Sequence, residues 1–157
     1  MKTEKATFAA GCFWGVEESY RQLPGVIQTA AGYCGGDMEN PTYHEVCSDE
    51  TGHAEAVQVV FDPKKIDYEK LLDLFWTLHD PTLRNQQGLN FGSQYRSMIF
   101  YHSPEQKKKA EASKKKAQEK LARPIVTVIE KAKPFYPAEE YHQKFFMKRN
   151  VKFTGVC

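Results

Sequence analysis

The sequence predicts an α+β fold: a mixed, mostly antiparallel sheet with helices packed on it, a ferredoxin-like two-layer core carrying long functional loops. Three observations carry that prediction. Strand-like and helix-like segments follow one another as β-α-β, loop, β-α, loop, β-α-β, α, without the regular repeat of a doubly wound parallel sheet. No glycine-rich phosphate loop and no internal repeat is present. The run AEAVQVVFD alternates with period two directly ahead of an amphipathic helical run. At 157 residues the chain reads as a single domain, 1–157, with a short flexible C-terminal tail at about 150–157.

Each element has a local reason. KATFAAG (5–11) is rich in β-formers and small residues and reads as the first strand. FWGVEESYRQL (13–23) reads as a helix with Trp14, Val16, Tyr20 and Leu23 as its apolar candidates, stopped by Pro24 and Gly25. GVIQTAAGY (25–33) is a second strand. The stretch 34–53 is rich in Gly, Pro, Asn and Asp and reads as a long loop. Loops of that length inside a domain are usually functional or disordered, and because this one carries Cys34, Tyr43, His44 and Cys47 it reads as functional.

In the third strand, Glu55 shares a face with Val57, Val59 and Phe61, an unusual place for a carboxylate. DYEKLLDLFWTLH (67–79) turns Tyr68, Leu71, Leu72, Phe75 and Leu78 inward, with Trp76 at the margin. A second polar loop (80–94) precedes the strand YRSMIFYH (95–102). Ser103 and Pro104 then open a lysine-rich helix (103–122). PIVTVIEK (124–131) reads as the last strand and PAEEYHQKFFMKR (137–149) as the last helix.

Composition excludes several classes of function. Lys plus Arg number 22 and Asp plus Glu 20, a balance of +2 that calls for no nucleic acid or anionic membrane. The lysine-rich helix reads as a solvated face, braced by the (i, i+4) pairs Glu105–Lys109 and Glu111–Lys115. No run is apolar and long enough to span a bilayer. FAAGC mimics a lipidation site, but Glu4 and Lys5 interrupt the apolar stretch that a secretory signal requires. The expected location is therefore cytoplasmic.

The four cysteines are Cys12, Cys34, Cys47 and Cys157, and no C-x-x-C pair exists. In a reducing compartment, catalytic or metal roles then gain weight over structural disulfides. Cys157 ends the chain, a position that suits a mobile, reactive thiol. Cys12 falls where a strand gives way to a helix, and backbone N–H groups there would lower a thiol from its usual pKa of about 8.5. A small buried hydrophobe is the alternative at that position. Phe13 and Trp14 follow directly. Successive helical side chains point about 100° apart, so the two rings cannot both face one core, and at least one lines a cleft or the surface.

GCFWG resembles the active-site motif of the A-type peptide methionine sulfoxide reductases (peptide-methionine (S)-S-oxide reductases). GYCGG, NPTYHEVC, TGHAEAV, FW-x-x-HDPT, QYRSMIFY and YHQKF agree with that family in the same order, from about Ala6 to Asn150. The resemblance implies an oxidoreductase that reduces the S epimer of methionine sulfoxide, free and in proteins. It makes Cys12 the nucleophile that attacks the sulfoxide sulfur. Phe13 and Trp14 would cradle the ε-methyl group, Glu55 would supply a proton to the departing oxygen, and Tyr43 and Tyr95 would hydrogen-bond it. A sulfenic acid on Cys12 would then be resolved to a disulfide by Cys157, with Cys34 as the alternative, and thioredoxin or another dithiol would reduce it. The resemblance implies no cofactor, no metal, no nucleic acid and no membrane, and a monomer is expected. Cys47 matches a family cysteine without an assigned redox step and is expected to pack in the core.

One departure stands out. The family generally has Asn-Asp where this chain has Leu89-Asn90. Asn90 remains a substrate-binding candidate, but the acidic charge is gone, which points to altered substrate affinity or a changed Glu55 pKa. Taken without the resemblance, the residues also admit other chemistry. A thiol peroxidase or a Cys-His hydrolase could draw a base from His44, His53, His79, His102 or His142. A zinc site could use Cys34, His44, Cys47 and His53, although their spacing follows no common pattern. An RNA-binding module could use the lysine helix.

Overall fold

The structure is a computed structural model in which residues 2–149 are described. The elements are β1 (Glu4–Ala10), α1 (Phe13–Arg21), β2 (Val26–Cys34), α2 (Tyr43–Cys47), β3 (Ala54–Phe61), α3 (Tyr68–Leu78), β4 (Gln86–Gln87), β5 (Asn90–Phe91), β6 (Ser97–Tyr101), α4 (Pro104–Gln118), β7 (Val128–Lys131), β8 (Tyr136–Pro137) and α5 (Phe145–Lys148). Six strands form one sheet in the order β7-β6-β1-β3-β2-β8. All neighbours run antiparallel except β6 and β7. The central strands β6-β1-β3-β2, with α1 and α3 as crossovers, make the expected ferredoxin-like arrangement.

Alternation along the strands builds a separate cluster on each face. Ala6, Phe8 and Ala10 of β1 and Val57, Val59 and Phe61 of β3 meet Val16 and Tyr20 of α1 and Leu71, Leu72 and Phe75 of α3. Phe8 stacks on Tyr20 with ring centroids 5.0 Å apart, and the buried Tyr20 hydroxyl donates to the Leu71 carbonyl at 2.9 Å. Each such ring contributes roughly 1.5–3 kcal/mol by leaving water. The opposite face carries a smaller cluster of Ala9, Cys34, Ala54, Ala56, Met98 and Phe100.

The structure differs from the sequence reading in four places. The first loop contains α2, started by a capping box: Glu45 N–H donates to Thr42 Oγ1, and Thr42 N–H donates to Glu45 Oε1. The second loop contains the β4–β5 ribbon and a 3-10 turn at Ser93–Tyr95. β7 begins four residues later than expected, because Ile125 N–H goes to Gln118 Oε1 and Val126 N–H to the Pro81 carbonyl, off the sheet. Of the two expected lysine-helix pairs, Glu105–Lys109 closes at 3.0 Å.

The fourth difference is the largest. The expected last helix is broken into β8, a 3-10 turn at Glu140–His142, and α5. The segment covers the edge of β2 instead of winding on itself. Gln143 Oε1 accepts the Ala31 N–H and Gln143 Nε2 donates to the Ala31 carbonyl, both at 2.8 Å. Lys144 takes a left-handed conformation (φ 47°) and gives its N–H to the buried Glu17 at 2.7 Å. Gly32 permits this close cover, since a Cβ there would lie 2.4 Å from the Phe135 ring.

Candidate active site

Cys12 lies in the hinge between β1 and α1. Gly11 before it has φ +97°, a conformation that side chains resist, and the Gln87 side chain packs where a Cβ would be. Cys12 itself is extended and half-buried at the N-cap of α1. The first N–H of the helix, that of Phe13, donates to Glu55 Oε1 at 3.2 Å. One turn of backbone therefore presents the thiol and anchors the carboxyl beside it.

Glu55 sits on the apolar face of β3, as its alternation predicts, opposite Tyr33 on β2. It is 2% exposed, and its Oε2 is buried without a hydrogen-bond partner. Burial pushes its pKa well above the usual carboxylate range, the nearby Cys12 charge adds to this, and the Phe13 N–H opposes it. Glu55 therefore holds its proton more tightly than a free carboxyl, with Oε1 bound and Oε2 buried without a hydrogen-bond partner.

Tyr43, the first residue of α2, and Tyr95, the last of the 3-10 turn, converge on the same place. Each lies close enough to the other and to Glu55 to shift its hydroxyl. Burial pushes Tyr95 up to about 12, the Glu55 charge adding to it and the Tyr43 hydroxyl opposing it. Tyr43 is raised further, by burial and by its contacts with Cys47, Tyr95 and Glu55. Both are neutral hydroxyl donors at physiological pH. Asn90 faces Gln87 across the β4–β5 ribbon, on the side of the ribbon that covers Gly11.

Phe13 and Trp14 diverge as expected. Phe13 is 1% exposed and packs against Tyr33 and His142 at 5.8 and 5.1 Å. Trp14 is half-buried and stacks on Phe145 at 3.7 Å. Its indole N–H donates to His142 Nδ1 at 2.8 Å. His142, available earlier only as one base among five, is the hub of this aromatic nest. Burial lowers its pKa, so the ring is neutral and its proton must lie on Nε2, which is buried without a partner. Glu139 Oε1 accepts the Tyr33 hydroxyl and its Oε2 the Tyr43 N–H, tying α2 to the C-terminal segment. Glu139 was not legible as a site residue, and His142 only as one candidate base, because the segment reads as one continuous helix.

Among the described residues, the buried side-chain polar atoms without a hydrogen-bond partner belong to Glu55, Gln94, His142 and Tyr68. Glu55 and His142 both meet the turn that follows Cys12, Glu55 at the Phe13 N–H and His142 at the Phe13 ring and the Trp14 indole. Such a concentration of unused polar atoms marks a place built for a polar ligand.

The remaining cysteines separate. Cys34 is 1% exposed on the opposite face of the sheet, donates to the Lys133 carbonyl at 3.5 Å, and is pushed by burial to about 11. Cys47, expected in the core, is exposed at the last position of α2, because that five-residue helix turns Val46 inward instead. Cys157 lies outside the described residues. Among those described, no group of three His, Cys, Asp or Glu could hold a metal. His53 is instead engaged by the Gly36 N–H and the Met38 carbonyl. Among the described residues, no helix is long and apolar enough to cross a membrane.

Comparison with known proteins agrees with this geometry. The family model for peptide methionine sulfoxide reductase matches residues 4–156. The peptide methionine sulfoxide reductase MsrA of Methanoculleus marisnigri is 59% identical over 156 residues, covering 98% of this chain and 93% of its own. The crystal structure of Saccharomyces cerevisiae Mxr1 in reduced form superimposes with a TM-score of 0.91 at 38% identity, covering 98% of this chain and 89% of that one. Mxr1 in complex with Trx2 superimposes at 0.67 and 33% identity, covering 90% and 84%. A half-exposed cysteine beside a buried glutamate, on a fold and a family match shared over nearly the whole length, places this chain in the peptide methionine sulfoxide reductase family.

Proposed function

We propose that this protein reduces the S epimer of methionine sulfoxide, free and in proteins, with Cys12 as nucleophile and Glu55 as proton donor. The observation that carries the assignment of roles is the unpartnered Oε2 of Glu55, buried beside Cys12 on a carboxyl whose pKa burial raises. The Cys12 thiolate attacks the sulfoxide sulfur. As the Cys12–sulfur bond forms, charge builds on oxygen, and the Glu55 proton together with the Tyr43 and Tyr95 hydroxyls meets it, giving an adduct that bears a hydroxyl. The hydroxyl then passes to the Cys12 sulfur as the sulfur–sulfur and sulfur–oxygen bonds of the adduct break, so that methionine leaves and Cys12 is a sulfenic acid. Phe13 and Trp14, held by His142, receive the ε-methyl group, and Asn90 borders the same pocket.

A second thiol then displaces water from the sulfenic acid to form a disulfide. Cys157 is assigned that step. The burial of Cys34 on the far face of the sheet and its high pKa speak against the alternative. The yeast relative's complex with Trx2 supports thioredoxin as the dithiol that restores both cysteines by exchange. That chemistry requires no metal or organic cofactor and belongs in a reducing compartment such as the cytoplasm, carried out by a monomer. A thioredoxin-coupled assay on resolved epimers of N-acetyl-methionine sulfoxide tests the proposal. It predicts one NADPH consumed per S sulfoxide and none with the R epimer. Equal turnover of both epimers, or hydrolysis of ester substrates by Cys12, would overturn it.

A further inference from the structure

The three polar groups assigned to the sulfoxide oxygen come from three separate elements: Tyr43 from α2, Glu55 from β3, and Tyr95 from the 3-10 turn at Ser93–Tyr95. Residues 48–53 join α2 to β3, and the 3-10 turn packs against β3. A single 3-10 turn has poor internal hydrogen-bond geometry, so its place is set by what its neighbours bond to. Two charged side chains supply those bonds.

Arg96 follows Tyr95 directly and is half-buried. Its guanidinium donates in three directions. Nη1 donates to the Ser93 carbonyl at 3.0 Å, closing back on the turn. Nη2 donates to the Gly52 carbonyl at 2.6 Å, on the strand-ward approach to Glu55. Nε meets Met98 Sδ at 3.2 Å, in the cluster on the opposite face of the sheet. Asp49 makes a second tie between the same two segments: its Oδ1 accepts the Ser93 N–H at 3.3 Å and also the Ser93 hydroxyl. The segment 49–52, which leads from the helix of Tyr43 to the strand of Glu55, is thus fastened twice to the turn that bears Tyr95.

We propose that Arg96, with Asp49 as the second tie, is a positioning residue for the reduction step: it sets where the Tyr95 hydroxyl stands relative to Tyr43 and Glu55. Charge that develops on oxygen is stabilised by donors already in place, so a small drift of Tyr95 slows the reaction without changing how the ε-methyl group is held. The planar guanidinium reaches all three partners at once, whereas a lysine keeps the charge and loses the fork. This inference rests on the methionine sulfoxide reductase reading and adds a residue to its machinery.

The test follows the first turnover of the full-length protein on the S epimer of N-acetyl-methionine sulfoxide without reductant, with thermal melts alongside. The variants are Arg96→Ala, Arg96→Lys, Asp49→Ala and Tyr95→Phe, and Arg96→Ala and Asp49→Ala each combined with Tyr95→Phe. Arg96→Ala is expected to lower the maximal rate of methionine formation roughly tenfold, with the half-saturating sulfoxide concentration unchanged. Arg96→Lys should fall as far. In the Tyr95→Phe background neither Arg96→Ala nor Asp49→Ala should cause a further loss, because the hydroxyl they position is gone. Equal losses in both backgrounds would overturn the proposal and make Arg96 a general support of the fold. A full rate in Arg96→Lys would overturn it in favour of a charge effect. Asp49 is exposed, so its cycle decides the question even where Arg96→Ala does not fold. A parent protein that forms no methionine would instead refute the function on which the inference rests.

Discussion

Among the described residues Glu17, Glu18 and Glu55 are the buried glutamates, and Glu17 and Glu55 have opposite characters. Glu17, on α1, is 0% exposed and fully engaged: it accepts the Thr29 hydroxyl at 2.8 Å and the Lys144 N–H at 2.7 Å, with Lys144 Nζ 4.0 Å away. Glu55, on β3, is 2% exposed with one oxygen bound and one without a partner. Burial alone does not distinguish a structural carboxylate from a reactive one. What distinguishes them is whether the fold supplies donors to both oxygens. Where it does, the charge is a fastener for the C-terminal segment. Where it withholds one, the carboxyl keeps its proton and has somewhere to give it.

The comparison breaks first at Glu55. Glu55→Gln keeps the shape but cannot deliver a proton, so kcat should fall roughly a hundred- to ten-thousand-fold with the thermal melt intact. Glu17→Ala should do the reverse. It strands the Thr29 hydroxyl and the Lys144 N–H, and should cost about 3 kcal/mol in chemical denaturation while leaving the pH dependence of the rate unchanged.

A third prediction concerns pH. Glu55 binds its proton more tightly when folded than when unfolded, so its contribution to stability is intact below about pH 4, where the unfolded carboxyl is also protonated. That contribution is lost as pH rises toward the folded pKa. Melting curves should therefore show Glu55→Gln gaining on the parent protein steadily from about pH 4 upward, and the parent's activity should fall on the alkaline side as Glu55 ionises. The smallest expected effect is that of Asn90→Asp. A charge on the ribbon face covering Gly11 should hold the Glu55 proton more tightly and move the alkaline limb of the pH–rate profile up, on the order of half a unit. Superimposable profiles with equal KM would remove Asn90 from the account.

Much of this contrast was legible in the sequence. Period-two alternation put Glu55 on the face of Val57, Val59 and Phe61, and the helical angle separated Phe13 from Trp14. What alternation could not give is a count of donors around a carboxyl, because those come from distant segments. Glu17 reads as an ordinary helix residue until Lys144 arrives from the far end of the chain. The Thr42–Glu45 capping signature was present in the sequence, but the surrounding glycines, prolines and asparagines read as loop. The 137–149 run has helical composition, and only its competition for the open edge of β2, made by Gln143 and allowed by Gly32, breaks it. That break brings His142 and Glu139 to the site. Cys47 was misplaced because a five-residue helix buries only one of its faces.

The central claim is that oxygen leaves the sulfoxide onto Cys12. The most direct measurement is one turnover with stoichiometric N-acetyl-methionine sulfoxide and no reductant, followed by alkylation and mass spectrometry of every cysteine. One methionine per chain, with Cys12 blocked and joined to Cys157, is the predicted result. Methionine formed while Cys12 remains open to alkylation would contradict it.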